Sequence, residues 1–244
     1  MTETVIRFAI VAVCGYLIGG IPWALVVGKS FYGIDVRTSG SGNLGATNVY
    51  RVLGRNAGLA TFGLDALKGA GAVLLALLVV PADTYGNVPS VTWNLTTWAE
   101  IVAALAVILG HSYSPYIGFK GGKGVATAAG ALCVLTPLAV PFELAVWFGV
   151  VWVTGMVSAG SVTIAALYPV LAYAFYRDQP AILLFALVGA ALVVWRHRAN
   201  IARIARGEEA TVSWARAGVR RRRASGAGSG GGTVSDRTDD GGRV

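Results

Sequence analysis

Apolar residues in this chain of 244 gather into seven long blocks, and polar segments separate the blocks from one another. A helix needs about 20 predominantly apolar residues to cross the hydrocarbon core of a bilayer. Two blocks are close to the lower limit, so we expect short helices there, with ends that lie in protein rather than in lipid. The pattern predicts an all-α polytopic membrane protein with about seven transmembrane helices. The blocks cover about residues 4–28, 57–80, 97–112, 123–139, 140–157, 160–176 and 180–196.

The composition agrees with a membrane protein and narrows the possible partners. Charged residues make up 13% of the chain, whereas a soluble domain carries about 25%. The formal net charge of +8 is explained by loops that face anionic lipid or phosphate and by the basic run Arg220–Arg223. Because no nucleic-acid-binding motif accompanies this charge, we expect no nucleic acid as a partner. No Cys/His spacing of a metal site occurs, so we expect neither a metal nor another cofactor.

Positive charge is distributed unevenly between the polar segments, and this predicts the orientation. With seven spans, residues 29–56, 113–123, 157–161 and the C-terminal segment share one side, which holds nearly all Lys and Arg. Positively charged loops stay in the cytosol. We therefore expect the N-terminus outside the cell membrane and the C-terminus inside, with every glycine-rich loop facing the cytosol.

Two regions of different composition predict the domain organisation. Residues 1–210 hold the seven blocks and form the predicted membrane domain. Residues 211–244 are basic at first and then rich in Gly and Ser, which is typical of a disordered cytosolic tail. The alternative for the basic start of this tail is contact with anionic lipid.

The first glycine-rich segment, residues 39–48, has the composition of a phosphate-binding loop. Its glycines let the backbone turn tightly and approach a ligand, and its hydroxyl and amide side chains supply hydrogen-bond donors. Arg51 and Arg55 follow, and arginine binds phosphate with two parallel hydrogen bonds. Ordinary helix capping would explain the Ser, Asn and Thr residues but not the glycines and arginines together. The candidate ligands are Ser39, Ser41, Gly42, Asn43, Gly45, Thr47, Asn48 and Arg51.

The second glycine-rich segment, residues 118–127, places Lys120 and Lys123 among glycines. It lacks the spacing of a P-loop, since Gly124 rather than Ser or Thr follows Lys123, and ATP hydrolysis is therefore not indicated. Free backbone amides at the start of a helix nevertheless bind anions. The alternative is a flexible loop whose lysines only follow the positive-inside rule. The candidate ligands are Gly121, Gly122, Lys123 and Gly124.

Two short polar groups lie where apolar blocks meet water. Ser158 and Ser161 stand at a predicted helix junction, where small residues serve either helix packing or ligand contact. His197 and Asn200 are three residues apart and share one face of a helix that continues beyond the last block. This polar stripe is either part of a ligand site or an interfacial anchor.

Three ionisable residues interrupt or end the apolar blocks. Asp65 and Lys68 lie inside the second block at a spacing that allows a mutual ion pair, as expected where an unpaired charge is costly. His111 ends the third block and is interpreted as a structural residue, with a catalytic role as the alternative.

These motifs resemble those of the bacterial integral-membrane glycerol-3-phosphate acyltransferases that use acyl phosphate as donor, the PlsY family. The resemblance covers about residues 4–210. It implies seven spans and transfer of a fatty acyl group from acyl phosphate to the sn-1 hydroxyl of glycerol 3-phosphate. The products are lysophosphatidate and phosphate, in phospholipid biosynthesis at the cell membrane. The matching pieces are residues 39–48 with Arg51, Gly110-His111 with Pro115 and residues 119–127, Ser158 with Ser161, and residues 197–201 with Gly207 and Glu209.

The chemistry of this reaction fits two phosphate-binding loops that lie close together. An acyl phosphate is a mixed anhydride with an activated carbonyl, so the protein needs only to hold the attacking hydroxyl about 3–3.5 Å from that carbonyl. We expect direct attack by the glycerol hydroxyl without an acyl-enzyme, and a substrate phosphate as proton acceptor. The predicted catalytic residues are Thr47, Ser161, Lys123 and Asn200. The predicted substrate ligands are Ser39, Ser41, Gly42, Asn43, Gly45, Asn48, Arg51, Gly121, Gly122, Gly124, Ser158, His197 and Glu209.

Two other functions account for part of the pattern. A transporter of an organic phosphate would also use glycine-broken helices, but its site would lie near the middle of the membrane rather than among loops on one side. A scaffold for anionic lipid would need dispersed basic charge and not patterned Gly, Ser, Asn and Thr. We expect the two substrates and membrane lipid as partners, and a monomer as the functional unit.

Overall fold

The computed structural model describes residues 1–81 and 94–215, and within these two ranges the chain is helical with no strand. The expected all-α class is confirmed. Each apolar block corresponds to a helix or a helix pair, and α3 and α10 are additional short helices. The helices are α1 (Thr2–Gly20), α2 (Trp23–Tyr32), α3 (Ala46–Leu53), α4 (Arg55–Val79), α5 (Leu95–Ser112), α6 (Val125–Leu135), α7 (Val140–Thr154), α8 (Val157–Tyr176), α9 (Pro180–Arg196) and α10 (Arg198–Ala205).

The lengths of the helices determine which of them suffice to cross a membrane. Four described stretches are long and apolar enough, namely Thr2–Tyr32, Arg55–Val79, Leu95–Ile117 and Val157–Tyr176. α9 and α10, which are bent by 59° relative to each other, qualify as a fifth stretch if they are taken together. α6 and α7 are apolar but have only 11 and 15 residues. The helices fit an integral membrane protein, and the crossing of all seven blocks stays a prediction.

The first block is a broken helix rather than the single helix predicted over 4–28. α1 ends at Gly20 and α2 begins at Trp23, because Pro22 has no N–H and its ring clashes with a preceding helical carbonyl. The ammonium of Lys68 on α4 donates to the carbonyl of Ile21 at 2.9 Å. The Ile21 carbonyl also accepts from the N–H of Trp23 at 3.1 Å, so the buried lysine supplies its second hydrogen bond at the break.

Glycines allow the helices of the core to cross in close contact. Gly69 on α4 faces the backbone of Thr127 on α6, and Gly130 on α6 faces the carbonyl of Ala66 on α4. The largest group of buried apolar side chains surrounds this crossing and comes mainly from α4, α5, α6, α8 and α9. Small residues at such contacts let membrane helices approach by van der Waals packing. The crossing holds the start of α6, and with it the second glycine-rich loop, against α4.

We expect Gly130→Ala to destabilise the protein strongly, because the added Cβ would overlap the Ala66 carbonyl oxygen on the facing helix. The matched control is Gly71→Ala on α4, where a Cβ meets nothing within 4 Å. Thermal unfolding in detergent should show a clearly lower Tm for Gly130→Ala and an unchanged or slightly raised Tm for Gly71→Ala. Equal Tm values for the two variants would contradict the close crossing.

Packed structure continues beyond the predicted domain boundary at residue 210. The N–H of Val212 donates to the carbonyl of Gly155 at 2.8 Å, and Val212 and Ala215 are buried against Val151 of α7. Val212 and Ala215 therefore pack against the helical domain, although the basic composition of their segment predicted a disordered tail. The rest of the predicted tail, with Arg220–Arg223, lies outside the described residues. Most of segment 81–96, which contains no Lys or Arg, also lies outside them.

Candidate active site

One buried side chain, Asn48 on α3, holds the first glycine-rich loop in shape. Its Oδ1 accepts hydrogen bonds from the backbone N–H and the hydroxyl of Ser41 at 2.8 and 3.1 Å. Its Nδ2 donates to the carbonyls of Val36 and Ser39 at 3.0 and 3.2 Å. Gly42 has φ of 66°, a left-handed conformation that glycine adopts without steric strain. The Asn48 amide is thus occupied by the loop that it orders.

The free donors of this loop lie beside the start of α3. Gly45 is the N-cap of α3, and Thr47 and Arg51 are four residues apart and share a helix face. Within residues 1–81 and 94–215, the Thr47 hydroxyl and the Asn43 amide have no hydrogen-bond partner. Arg51 Nη2 donates to the carbonyl of Ala210 at 3.2 Å. Arg51 therefore links the first loop to the segment that follows α10.

The guanidinium of Arg196, at the end of α9, holds the second glycine-rich loop. Its Nη2 donates to the carbonyls of Gly122 and Gly121 at 2.6 and 3.2 Å. The N–H of Gly122 donates to the carbonyl of His111 at 3.1 Å, and a side chain at Gly122 would overlap the imidazole of His111. The loop therefore lies between the ends of α5 and α9, with Lys123 at its last turn before α6.

A buried network of charged and polar side chains lies beneath the second loop. Lys68 Nζ is 2.8 Å from Asp65 Oδ1, with the two side chains only 3% and 2% exposed, which confirms the predicted ion pair. His111 Nδ1 is 3.5 Å from the same carboxylate oxygen and 3.2 Å from Thr127 Oγ1. Because its ring is enclosed by these groups and by the loop, His111 is placed to support the loop.

Glu209 joins residues from three distant parts of the chain. Its Oε1 accepts hydrogen bonds from Asn200 Nδ2 at 2.6 Å and from Ser158 Oγ at 2.7 Å. Its Oε2 accepts from Arg203 Nε at 2.7 Å. The Asn200 Oδ1 in turn accepts from Lys123 Nζ at 2.6 Å. These bonds bring the second loop, the start of α8 and the end of α10 to one place, which we call the Glu209 cluster.

Positive charge dominates around this cluster. Lys123 lies within electrostatic reach of Glu209 and of three arginines, Arg203, Arg51 and Arg196. Burial lowers the pKa of Lys123 to about 8, although the charge of Glu209 opposes this effect. Burial alone would raise the pKa of Glu209, but hydrogen bonds from its three partners outweigh burial and lower it. At neutral pH the site therefore has an excess of positive charge, which attracts an anion.

His197 is buried at the break between α9 and α10, with 2% of its surface exposed. Its Nδ1 lies 2.8 Å from the carbonyl of Val193, so Nδ1 carries the proton and Nε2 is left as an acceptor. Burial lowers the pKa of His197 to about 4, and the nearby charge of Lys123 adds to this effect. The ring is neutral at pH 7 and is a weak base.

Ser158 and Ser161 both lie on the first turns of α8 but have different surroundings. Ser158 donates to Glu209, as described above, and belongs to the Glu209 cluster. Ser161 Oγ donates to the carbonyl of Val157 at 2.9 Å and receives a long hydrogen bond of 3.5 Å from Trp147 Nε1. Ser161 also lines an apolar groove between the helices. The hydroxyl of Ser161 therefore lies at the border between the polar site and the apolar interior of the helix bundle.

The structure brings several of the predicted site residues together, and others hold the first glycine-rich loop in shape. Arg51, Lys123, Ser158, Asn200 and Glu209 converge directly or through one neighbour, whereas Ser41 and Asn48 build the first loop. Their roles toward a substrate stay predictions.

The site also contains three side chains that were not among the predicted site residues. Arg203 shares a helix face with Asn200 at a spacing of three residues, which is a usable signal, but no local pattern pointed to Arg196 or Trp147.

Comparison with known proteins identifies the family of this chain. Residues 9–207 match the model of the glycerol-3-phosphate acyltransferase family. The chain belongs to this family. It is similar to glycerol-3-phosphate acyltransferase 2 of Moorella thermoacetica, with 44% identity over 81% of this chain and 93% of the relative. It is also similar to the glycerol-3-phosphate acyltransferase of Clostridioides difficile, with 39% identity over 85% and 97% of the two chains.

Solved structures of this family share the fold. A crystal structure of PlsY, an integral membrane glycerol 3-phosphate acyltransferase in its glycerol 3-phosphate form, matches with a TM-score of 0.74 and 35% identity. The match covers 84% of this chain and 95% of that one. The lysophosphatidic acid form of PlsY matches with a TM-score of 0.72. The glycerol-3-phosphate acyltransferase fold thus extends over nearly all of the described helices.

Proposed function

We propose that this chain transfers a fatty acyl group from acyl phosphate to the sn-1 hydroxyl of glycerol 3-phosphate, giving lysophosphatidate and inorganic phosphate. The observation that carries this proposal is the Glu209 cluster, where several cations surround a single carboxylate between two glycine-rich loops. The structures of PlsY with a substrate and a product of this kind support the assignment. Acyl phosphate as donor rests on the family resemblance and on the chemistry below.

Two phosphate-binding regions lie side by side in this arrangement. Arg51, with the free Thr47 hydroxyl on the same face of α3, provides one region. Lys123, just before α6, provides the other, together with those amides of its glycine loop that have no hydrogen-bond partner within the described residues. The N–H of Gly122, which donates to His111, is not one of them. Both regions lie next to the Glu209 cluster, so a phosphate of each substrate can be bound close to the other. Positioning of this kind supplies much of the rate when the carbonyl is already activated.

The proposed step needs no covalent enzyme intermediate. The glycerol oxygen attacks the carbonyl carbon, a new ester bond forms, and the bond between the carbonyl carbon and the phosphate oxygen breaks. Phosphate leaves with the electron pair, and the hydroxyl proton passes to a phosphate oxygen of a substrate. Ser161 is the proposed donor to the carbonyl oxygen, because its hydroxyl lies where the apolar groove meets the polar site. In this step the hydroxyl turns from the Val157 carbonyl, to which it donates in the structure, toward the substrate.

Neither histidine is well suited to be the general base, and this supports a substrate phosphate as the proton acceptor. His197 has a pKa of about 4, too low for an efficient base near neutral pH, and His111 is enclosed beneath the second loop. A pH–rate profile of His197→Ala and His111→Ala tests this point. If either change abolished turnover with substrate binding intact and removed an ionisation from the profile, that histidine would be the base.

The same proposal includes the placement of the protein in the cell. The ends of α5 and α9 and the starts of α6 and α8 meet at the site, so the site lies at one end of the helix bundle. The uneven distribution of Lys and Arg assigns this end to the cytosolic side of the cell membrane. We infer seven crossings, an N-terminus outside and a monomer as the functional unit. Proteolysis of oriented vesicles and mass measurement in detergent test these inferences.

The reaction is tested with purified protein in detergent and labelled glycerol 3-phosphate, with palmitoyl phosphate or palmitoyl-CoA as donor. We expect lysophosphatidate from palmitoyl phosphate alone. Product from palmitoyl-CoA only would contradict the donor, whereas flux of glycerol 3-phosphate into liposomes without product would favour a transporter. The gathering of the site at one end of the bundle supports the enzyme, because alternating access uses a site near the midplane.

The pKa of Lys123 predicts how activity changes in alkaline solution. The ammonium is the form that binds phosphate, and its pKa is lowered to about 8, so kcat/KM should be high below this pH and fall as pH rises through it. Lys123→Arg keeps its charge in this range and should extend the plateau to higher pH. A pH profile of kcat/KM for both proteins measures the effect. An identical alkaline fall in the arginine variant would contradict the assignment to Lys123.

A further inference from the structure

A tryptophan of α7 lies beside the hydroxyl that we assign to the carbonyl oxygen of the acyl donor. Trp147 Nε1 donates to Ser161 Oγ over a long distance of 3.5 Å, and this N–H has no other acceptor within the described residues. Ser161 Oγ itself donates to the carbonyl of Val157 at 2.9 Å. The serine oxygen is therefore the acceptor for the indole, while the serine proton is directed elsewhere.

The position of this indole is fixed by close packing on several sides. A Cβ at Gly160 would lie 3.0 Å from Trp147 Cδ1 and 3.2 Å from its Nε1, so the absence of a side chain there lets the ring pack directly on α8. The ring of Phe148 meets the indole edge to face, with the centroids 5.0 Å apart. Trp147 also packs against the buried apolar group that contains Val212 and Ala215. Contacts from α7, α8 and the segment after α10 thus hold the N–H beside the serine.

We propose that Trp147 is a positioning residue for Ser161 in the acyl transfer, an inference that rests on the proposed function. A hydroxyl group has one proton to donate and two lone pairs that accept. When the Ser161 proton turns from the Val157 carbonyl toward the substrate, the indole N–H keeps the serine oxygen in place. The bond from the indole also strengthens the bond that the hydroxyl donates, because hydrogen bonds in a chain polarise one another.

This role affects the transition state more than the binding of substrate. Negative charge grows on the carbonyl oxygen only as the glycerol oxygen attacks, and a donor directed at that charge mainly raises kcat. Ser161 is among the described residues that line the apolar groove, whereas Trp147 is not, so the indole acts on the substrate through the serine. Loss of the N–H should therefore lower kcat, leave KM nearly unchanged, and have no consequence once the Ser161 hydroxyl is absent.

The test is a double-mutant cycle that measures kcat and KM with palmitoyl phosphate and glycerol 3-phosphate. Trp147→Phe removes the N–H but keeps an aromatic ring, and it should lower kcat by about 3- to 10-fold, the effect of one neutral hydrogen bond. The same change made in Ser161→Ala should lower kcat by less than about twofold. The matched control is Trp152→Phe on the same helix, where the tryptophan is 52% exposed, and it should keep the wild-type kcat and KM.

A second replacement separates the N–H from the packing of the ring. Benzothienylalanine at position 147 has a ring of the same shape as indole, with sulfur in place of the N–H. It should therefore keep the wild-type Tm and show the same loss of kcat as Trp147→Phe. If Trp147→Phe fails to fold, the kcat of this variant decides.

The outcomes distinguish the positioning role from the proposed function. If the wild-type protein formed no lysophosphatidate from palmitoyl phosphate, the proposed function and the positioning role would both be overturned. If it did form this product, an unchanged kcat without the indole N–H would overturn only the positioning role. Equal losses of kcat with and without the Ser161 hydroxyl would also overturn it, because the indole would then act by packing alone. Wild-type kcat in Ser161→Ala would overturn it too, since no hydroxyl would need to be positioned.

Discussion

Replacing Lys123 by alanine should lower kcat/KM for glycerol 3-phosphate by roughly 10²- to 10³-fold, since removing the cation from a buried ion pair, here the proposed pair with a substrate phosphate, commonly has an effect of this size. The ammonium lies 2.6 Å from Asn200 Oδ1 and is the cation that connects the second glycine-rich loop to the Glu209 cluster. Its loss removes the proposed phosphate ligand and also frees Asn200. Initial rates over a range of both substrates measure the change.

The same loop provides the matched control for this experiment. Lys120 is exposed and lies three residues before Lys123, and it has no hydrogen-bond or ion-pair partner within the described ranges. Lys120→Ala removes the same charge from the same loop, so it should change kcat/KM only slightly. Equal losses in the two variants would mean that the loop acts through its general charge, and would contradict the specific placement of Lys123.

Replacing Glu209 by alanine should have a second large effect, on both activity and stability. The change leaves Asn200, Ser158 and Arg203 without their common acceptor. Asn200 and Ser158 are buried, and an unsatisfied buried group costs about 1–3 kcal/mol, whereas the partly exposed Arg203 can bind water instead. We expect kcat/KM to fall by about 10²-fold or more, because Asn200 no longer holds Lys123 in place. A lower Tm should accompany the loss of activity.

Glu208 is the matched control for Glu209. Its carboxylate is exposed and pairs at 2.7 Å with Arg206, which is also exposed, and such pairs contribute little. Glu208→Ala should retain nearly full activity and Tm.

The contribution of Glu209 to stability should depend on pH. Since the folded-state pKa of Glu209 is lowered below its ordinary value of 4.5, its stabilising contribution is present above that pH and is lost as pH falls further. If Glu209→Ala kept wild-type Tm and activity, the cluster would not be the centre of the site.

The membrane character and the loops that carry the site were readable from local patterns. A run of apolar residues long enough for a span indicates a helix whatever its neighbours are, and glycines followed by arginines or lysines indicate an anion site. The buried pair of Asp65 and Lys68 was predictable because two charges in an apolar helix need each other. Pro22 is also visible in the sequence, but only the structure showed that the helix of the first block breaks there.

The amino-acid sequence by itself determined the helical membrane class, the two glycine-rich loops and the candidate cations around them. Only the tertiary structure decided that Glu209 joins Lys123, through Asn200, to Ser158, and that Arg196 holds the second loop by its backbone carbonyls. The physical reason is distance along the chain. Lys123 and Asn200 are 77 residues apart, and periodicity within a helix carries no information about which helix end packs beside another.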